Sequence, residues 1–122
     1  MAAAITYVAG IGMANVRRHD SDLLAQAVTS LQTLPRLRLV GRPKERVGVV
    51  SFVVDGIHAH DLGTILDHHG VAIRTGQHCA EPLMRRLGVA ATARASFALY
   101  NDLDDVEHLV HAIGKACEVF SA

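Results

Sequence analysis

A chain of 122 residues, half of them hydrophobic and a fifth charged, can pack one domain and is too short for two ordinary ones. Twelve Lys and Arg cancel twelve Asp and Glu, so there is no long-range pull toward nucleic acid or an anionic membrane, and neither is expected as a partner. Two cysteines make no extracellular disulfide framework and the longest apolar run is far short of a bilayer span, which favours a reduced, cytoplasmic setting.

The first stretch, 2–9, reads as a short apolar helix that ends at Gly10 and Gly12. Arg17 and Arg18 follow it, the wrong order for a secretory signal. Leu23, Leu24, Ala27, Val28, Leu31 and Leu34 then recur at three- and four-residue steps, a longer helix that Pro35 stops. Residues 36–40 alternate as a half-buried strand, Gly41-Arg42-Pro43 turns the chain, and 47–54 reads as a buried strand that pairs antiparallel with the first. Helical spacing returns over 58–70 through Leu62, Ile65 and Leu66, with Gly70 as the cap.

Residues 71–74 suggest a short strand and 75–79 a loop. Pro82 suits the first turn of a helix that runs to Leu87 and closes at Gly88. A strand is expected over 92–99. The last helix carries one apolar stripe, Leu103, Val106, Leu109, Val110, Ile113, Cys117 and Phe120, with Asn101 or Asp102 as its cap. No repeat, low-complexity tract or linker interrupts the chain. The sum is one α+β domain over 1–122, a small and largely antiparallel sheet covered by helices. A positive mean hydropathy in so small a domain also suggests a face that a partner or another domain covers.

One segment does not read as scaffold: Arg74-Thr75-Gly76-Gln77-His78-Cys79-Ala80-Glu81-Pro82-Leu83-Met84. It sets a cysteine between a strand and a helix start, where the helix dipole, Arg74 and a protonated His78 would all favour thiolate over thiol. By spacing alone, a cysteine beside a histidine is more often an incidental or buried thiol than a reactive one. Arg94 alone would be an ordinary strand arginine reaching for water. Cys117 belongs to the apolar stripe and reads as core. The eight histidines, including His58-x-His60 and His68-His69, lack the spacing of metal ligands, so no metal site is expected.

Residues 74–84 resemble the active-site loop of Suf-type cysteine desulfurases, Arg-x-Gly-His-His-Cys-Ala-x-Pro-Leu-Met. The stretch Ala91-Thr92-Ala93-Arg94-Ala95-Ser96-Phe97-Ala98-Leu99-Tyr100-Asn101 is similar to the arginine-bearing strand that follows it in that family. Gly48-Val49-Val50-Ser51-Phe52, then Gly56-Ile57-His58-Ala59-His60-Asp61, and the early Gly10-Ile11-Gly12-Met13 with His19 downstream match as well. The likeness covers nearly the whole chain. The short loop separates it from the desulfurase branch whose cysteine lies on a longer, serine-rich loop.

The resemblance implies the cysteine-bearing C-terminal domain of a pyridoxal 5'-phosphate (PLP) enzyme, like the small domain of fold-type I enzymes, with 1–12 as the helix leading in from a large domain. In the family, PLP captures L-cysteine and serves as an electron sink. The residue matching Cys79 attacks the substrate sulfur, leaving alanine and a persulfide destined for iron–sulfur cluster assembly. Arg94 matches the arginine that grips the substrate carboxylate. Arg74 and His78 match positions flanking the nucleophile, and Gln77 departs from the usual histidine.

The family's cofactor lysine has no counterpart here. Lys44 lies in a turn and Lys115 off the apolar stripe, so the chain alone is not expected to bind PLP. Gly10-x-Gly12 follows no strand and lacks a third glycine, so it is not a phosphate loop. The implied partners are a PLP-binding large domain or full-length desulfurase, a sulfur-acceptor protein and a second copy of the chain. Three readings stay open: a desulfurase domain that needs a separate PLP domain, a non-catalytic persulfide-accepting module, and an inactive remnant.

Overall fold

The computed structural model describes residues 1–41 and 43–121. In chain order the elements are α1 (Ala2–Ile11), α2 (Met13–Leu31), β1 (Leu37–Val40), β2 (Val49–Val54), α3 (Ala59–His68), β3 (Arg74–Gly76), α4 (Glu81–Leu87), β4 (Thr92–Ser96) and α5 (Leu103–Val119). The four strands form one sheet in the order β1-β2-β4-β3, and every neighbouring pair is antiparallel. The fold is therefore α+β, as the sequence leads one to expect.

Alternation along β2 and β4 separates two sheet faces. Val50, Phe52 and Val54 of β2 and Ala93 and Ala95 of β4 are buried on one face. There they meet the apolar stripes of α2 (Leu23, Leu24, Ala27, Leu31), α3 (Leu62, Leu66) and α5 (Val106, Leu109, Ala112, Ile113, Ala116) in a single core. The other face carries Val49, Ser51 and Val53 of β2, all half-buried, with Thr92, Arg94 and Ser96 of β4.

Side-chain caps and glycines set several helix boundaries. Asp102 caps α5 by accepting from the Asp105 amide, while Asp105 accepts from the Asp102 amide and the Asn101 side chain. The Asn101 bond, then the Asp102 bond, holds the Asp105 carboxyl below the usual carboxylate range. Gly88 closes α4 in the left-handed conformation, and Gly70 turns the chain after α3 with φ 75°.

Several boundaries differ from expectation. The first helix runs through Gly10 to Ile11, and α2 stops at Leu31, before Leu34 and Pro35. Strand β4 ends at Ser96, because Asn101 Oδ1 accepts from the Ala98 amide and draws the chain into the turn before α5. Arg42, part of the expected turn at 41–43, lies outside the described residues. Helix α1 has no buried residue, and Ile5 and Tyr7 are 64% and 63% exposed. No helix among the described residues is long and apolar enough to cross a membrane.

Phe52 is fully buried at the centre of the core. Phe52→Ala is expected to lower stability by about 3–5 kcal/mol through lost burial and a residual cavity. Urea denaturation checks this, and a loss under about 1 kcal/mol would mean that the core is not packed around this ring.

Candidate active site

Strand β3 is shifted from its expected place: it covers Arg74–Gly76, not 71–74. Two contacts account for the shift. Thr75 pairs with Ala93, and its methyl lies against α3 at Gly63, where an added Cβ would come within 2.8 Å of it. The loop is correspondingly shorter.

After Gly76 the chain reverses over Gln77, His78, Cys79 and Ala80, and the Ala80 amide donates to the Gln77 carbonyl at 2.9 Å. Both central residues have positive φ, 55° at His78 and 60° at Cys79. This is a mirror-image turn, which Asn-Gly or Gly-Gly forms cheaply. Residues with side chains pay roughly 1–2 kcal/mol each for that conformation. Strain of this kind collects at functional sites.

The His78 ring anchors the turn. Its Nε2 is hydrogen-bonded with Thr92 Oγ1 at 2.9 Å and with the Thr92 carbonyl at 3.2 Å. Thr92 opens β4 and is 1% exposed, so the turn is fastened to the interior of the neighbouring strand. Cys79 is left exposed, whereas Cys117 is half-buried on α5 against the core. Gln77 is exposed and joins the turn through its carbonyl, so its departure from histidine leaves the turn's backbone bond untouched.

Sheet register brings the two expected arginines together. Arg74 and Arg94 are direct partners across β3 and β4, so their side chains leave the same face, and Ser51 is the partner of Arg94 on the other side. Like charges directly opposed repel. The ion pairs found among the described residues, Arg85–Glu81 and Lys115–Glu118, involve neither guanidinium. Arg94 Nε is moreover buried without a hydrogen-bond partner. An anion would satisfy both arginines, and a carboxylate matches the guanidinium fork.

Those cations also act on His78. Burial pushes its pKa below the ordinary histidine value, and Arg94 and Arg74 push the same way, against the bond to the Thr92 backbone, which raises it. The sequence suggests a protonated His78 beside the sulfur. The shift runs against that expectation and favours the neutral ring near pH 7, with burial as the first cause and the two arginines adding to it.

The residues present do not fit a PLP-holding site. Lys44 is exposed in the loop before β2, and Lys115 points its ammonium to Glu118 at 2.9 Å. Neither has the desolvated surroundings that a Schiff-base lysine needs. Sequence reasoning missed Thr92 and Ser51 as neighbours of the site. The available signal was strand alternation, which puts Thr92 on the face of Arg94, two residues on.

Comparison with known proteins gives a consistent picture. The family model described as Aminotransferase class-V matches residues 1–109. A probable cysteine desulfurase 2 from Mycobacterium leprae is 50% identical over 98% of this chain and 29% of its own length. A crystal structure of a cysteine desulfurase from Escherichia coli, in an S-sulfonic acid form, superposes with a TM-score of 0.89 at 36% identity, covering 97% of this chain and 29% of that one. An apo cysteine desulfurase from Thermococcus onnurineus gives 0.86 at 38% identity, over 98% and 30%. The chain thus spans under a third of the length of the relatives it matches.

Exposure makes the two thiols unequal. Iodoacetamide is expected to label Cys79 about tenfold or more faster than Cys117, since a packed thiol reacts only when its surroundings open. Peptide mass spectrometry over a time course reads the order, and labelling of Cys117 first would contradict it.

Proposed function

The chain belongs to the class-V aminotransferase family, and on that premise we propose that it is the cysteine-bearing domain of a cysteine desulfurase that works with a PLP-holding domain. The observation that carries this reading is an exposed cysteine on a strained turn, fastened beside two arginines on one sheet face.

In this reading L-cysteine is the substrate. Arg94 binds its carboxylate, and its unpartnered Nε supplies one of the donors. Arg74 adds a second positive charge next to the turn. Cys79 Sγ forms a bond to the substrate sulfur while the substrate's carbon–sulfur bond breaks. The carbon gains a proton, so thiol plus L-cysteine becomes protein persulfide plus L-alanine, with atoms and charge balanced. The cofactor's lysine belongs to the partner domain, since neither lysine here suits it.

That domain would cover the apolar surface of α1 and the start of α2, where Ile5, Tyr7 and Met13 are each more than 60% exposed. Exposure of Cys79 also suits hand-over of the persulfide to a sulfur-acceptor protein, the step that leads to iron–sulfur cluster assembly. The same exposure supports a second reading, in which Cys79 only accepts a persulfide from another protein.

One experiment separates these. The chain is mixed with a PLP-loaded large domain of a class-V desulfurase and L-cysteine, and alanine release and the mass of the Cys79 peptide are followed. The expected result is alanine, with one sulfur atom gained on Cys79, both abolished by Cys79→Ser. Arg94→Lys should raise KM for L-cysteine about tenfold, the cost of losing a two-pronged contact. Sulfur gain from a persulfidated donor without alanine would favour the carrier reading. Neither alanine nor sulfur gain would overturn both.

A further inference from the structure

Thr92 stands out because it is the one polar or charged residue among the described residues whose side chain is fully buried in strand β4, at 1% exposure. A β-branched hydrocarbon such as valine would fill the same strand position equally well, so the hydroxyl calls for a partner. That partner is His78 Nε2, which faces two oxygens of the same residue, Oγ1 at 2.9 Å and the carbonyl at 3.2 Å.

A carbonyl oxygen carries no proton, so the ring nitrogen facing it must donate. A neutral imidazole carries one N–H, and placing it at Nε2 leaves Nδ1 bare. His78 Nδ1 is indeed buried with no hydrogen-bond partner. A buried lone pair without a donor lowers stability, and the fold tolerates this in the residue next to the exposed cysteine.

We infer that Thr92 is a positioning residue that clamps His78 in its Nε2–H tautomer and so leaves Nδ1 as a bare, buried acceptor. This deepens the desulfurase reading and rests on it only for its chemical use. With Nε2 committed to Thr92, the imidazole beside Cys79 keeps a free lone pair, which neither arginine can offer. Thr92 itself touches neither substrate nor sulfur in this arrangement. It acts through His78.

The test is ring-nitrogen NMR on the full chain labelled with ¹⁵N-histidine, recorded near neutral pH without L-cysteine. Nε2 of His78 should be protonated and Nδ1 bare. Thr92→Val, which removes the hydroxyl and keeps the carbonyl, should leave Nε2 protonated and shift its resonance, because the shorter of its two contacts is lost. Thr92→Ser should restore that resonance. An Nδ1–H tautomer or an imidazolium in the unsubstituted chain would overturn the inference, as would a Thr92→Val spectrum unchanged at His78. Should Thr92→Val fail to fold, the unsubstituted chain and Thr92→Ser decide by the same criterion. Loss of persulfide formation with the Nε2–H signature intact would sink the desulfurase reading alone.

Discussion

The candidate site exists because β3 pairs with β4. This pairing is only three residues long and lies at the sheet edge, yet it sets Arg74 against Arg94 and Gly76 against Thr92. Edge strands this short need help to stay in register. Thr75 supplies some by packing its methyl against α3 at Gly63, and the His78–Thr92 bonds supply the rest from beyond the strand's end. Slippage by one residue would send Arg74 to the opposite face and separate the two guanidinium groups.

The same pairing concentrates unfavourable terms. Two guanidinium groups are opposed with no ion pair among the described residues, Arg94 Nε and His78 Nδ1 are buried without partners, and two side-chain-bearing residues take positive φ. Each lowers stability, and a chain selected for stability alone would replace them. Together they make sense as a surface that waits for an anionic ligand, with the large single core over α2, α3 and α5 offsetting the cost. The lowered pKa of His78 comes first from its burial, with the same two guanidinium groups adding to it.

Much of this was legible in the sequence. Every regular element was foreseen in type and order, because Leu23-to-Leu31, Leu62-to-Leu66 and Val106-to-Ala116 carry helical spacing and Val49-to-Val54 reads as a strand. The cysteine, histidine and arginines of the candidate site came from one loop motif and one strand motif. What escaped was non-local. The start of β3 depends on a contact between Thr75 and Gly63, twelve residues apart, and the end of β4 on an asparagine side chain. The lowered pKa of His78 escaped because it depends first on burial and then on Arg94, which only sheet register brings near. Thr92 carried no motif of its own, and its importance appears only when the partner of His78 is seen.

The central claim is that the β3–β4 register makes Arg74 and Arg94 one anion site beside Cys79. Its most direct test is NMR of the arginine Nε–H groups during titration with L-alanine, a carboxylate of the proposed product's shape. The account predicts saturable shifts confined to Arg74 and Arg94, with Arg38 and Arg85 unmoved. Uniform shifts across all four arginines, or none at Arg94, would contradict it.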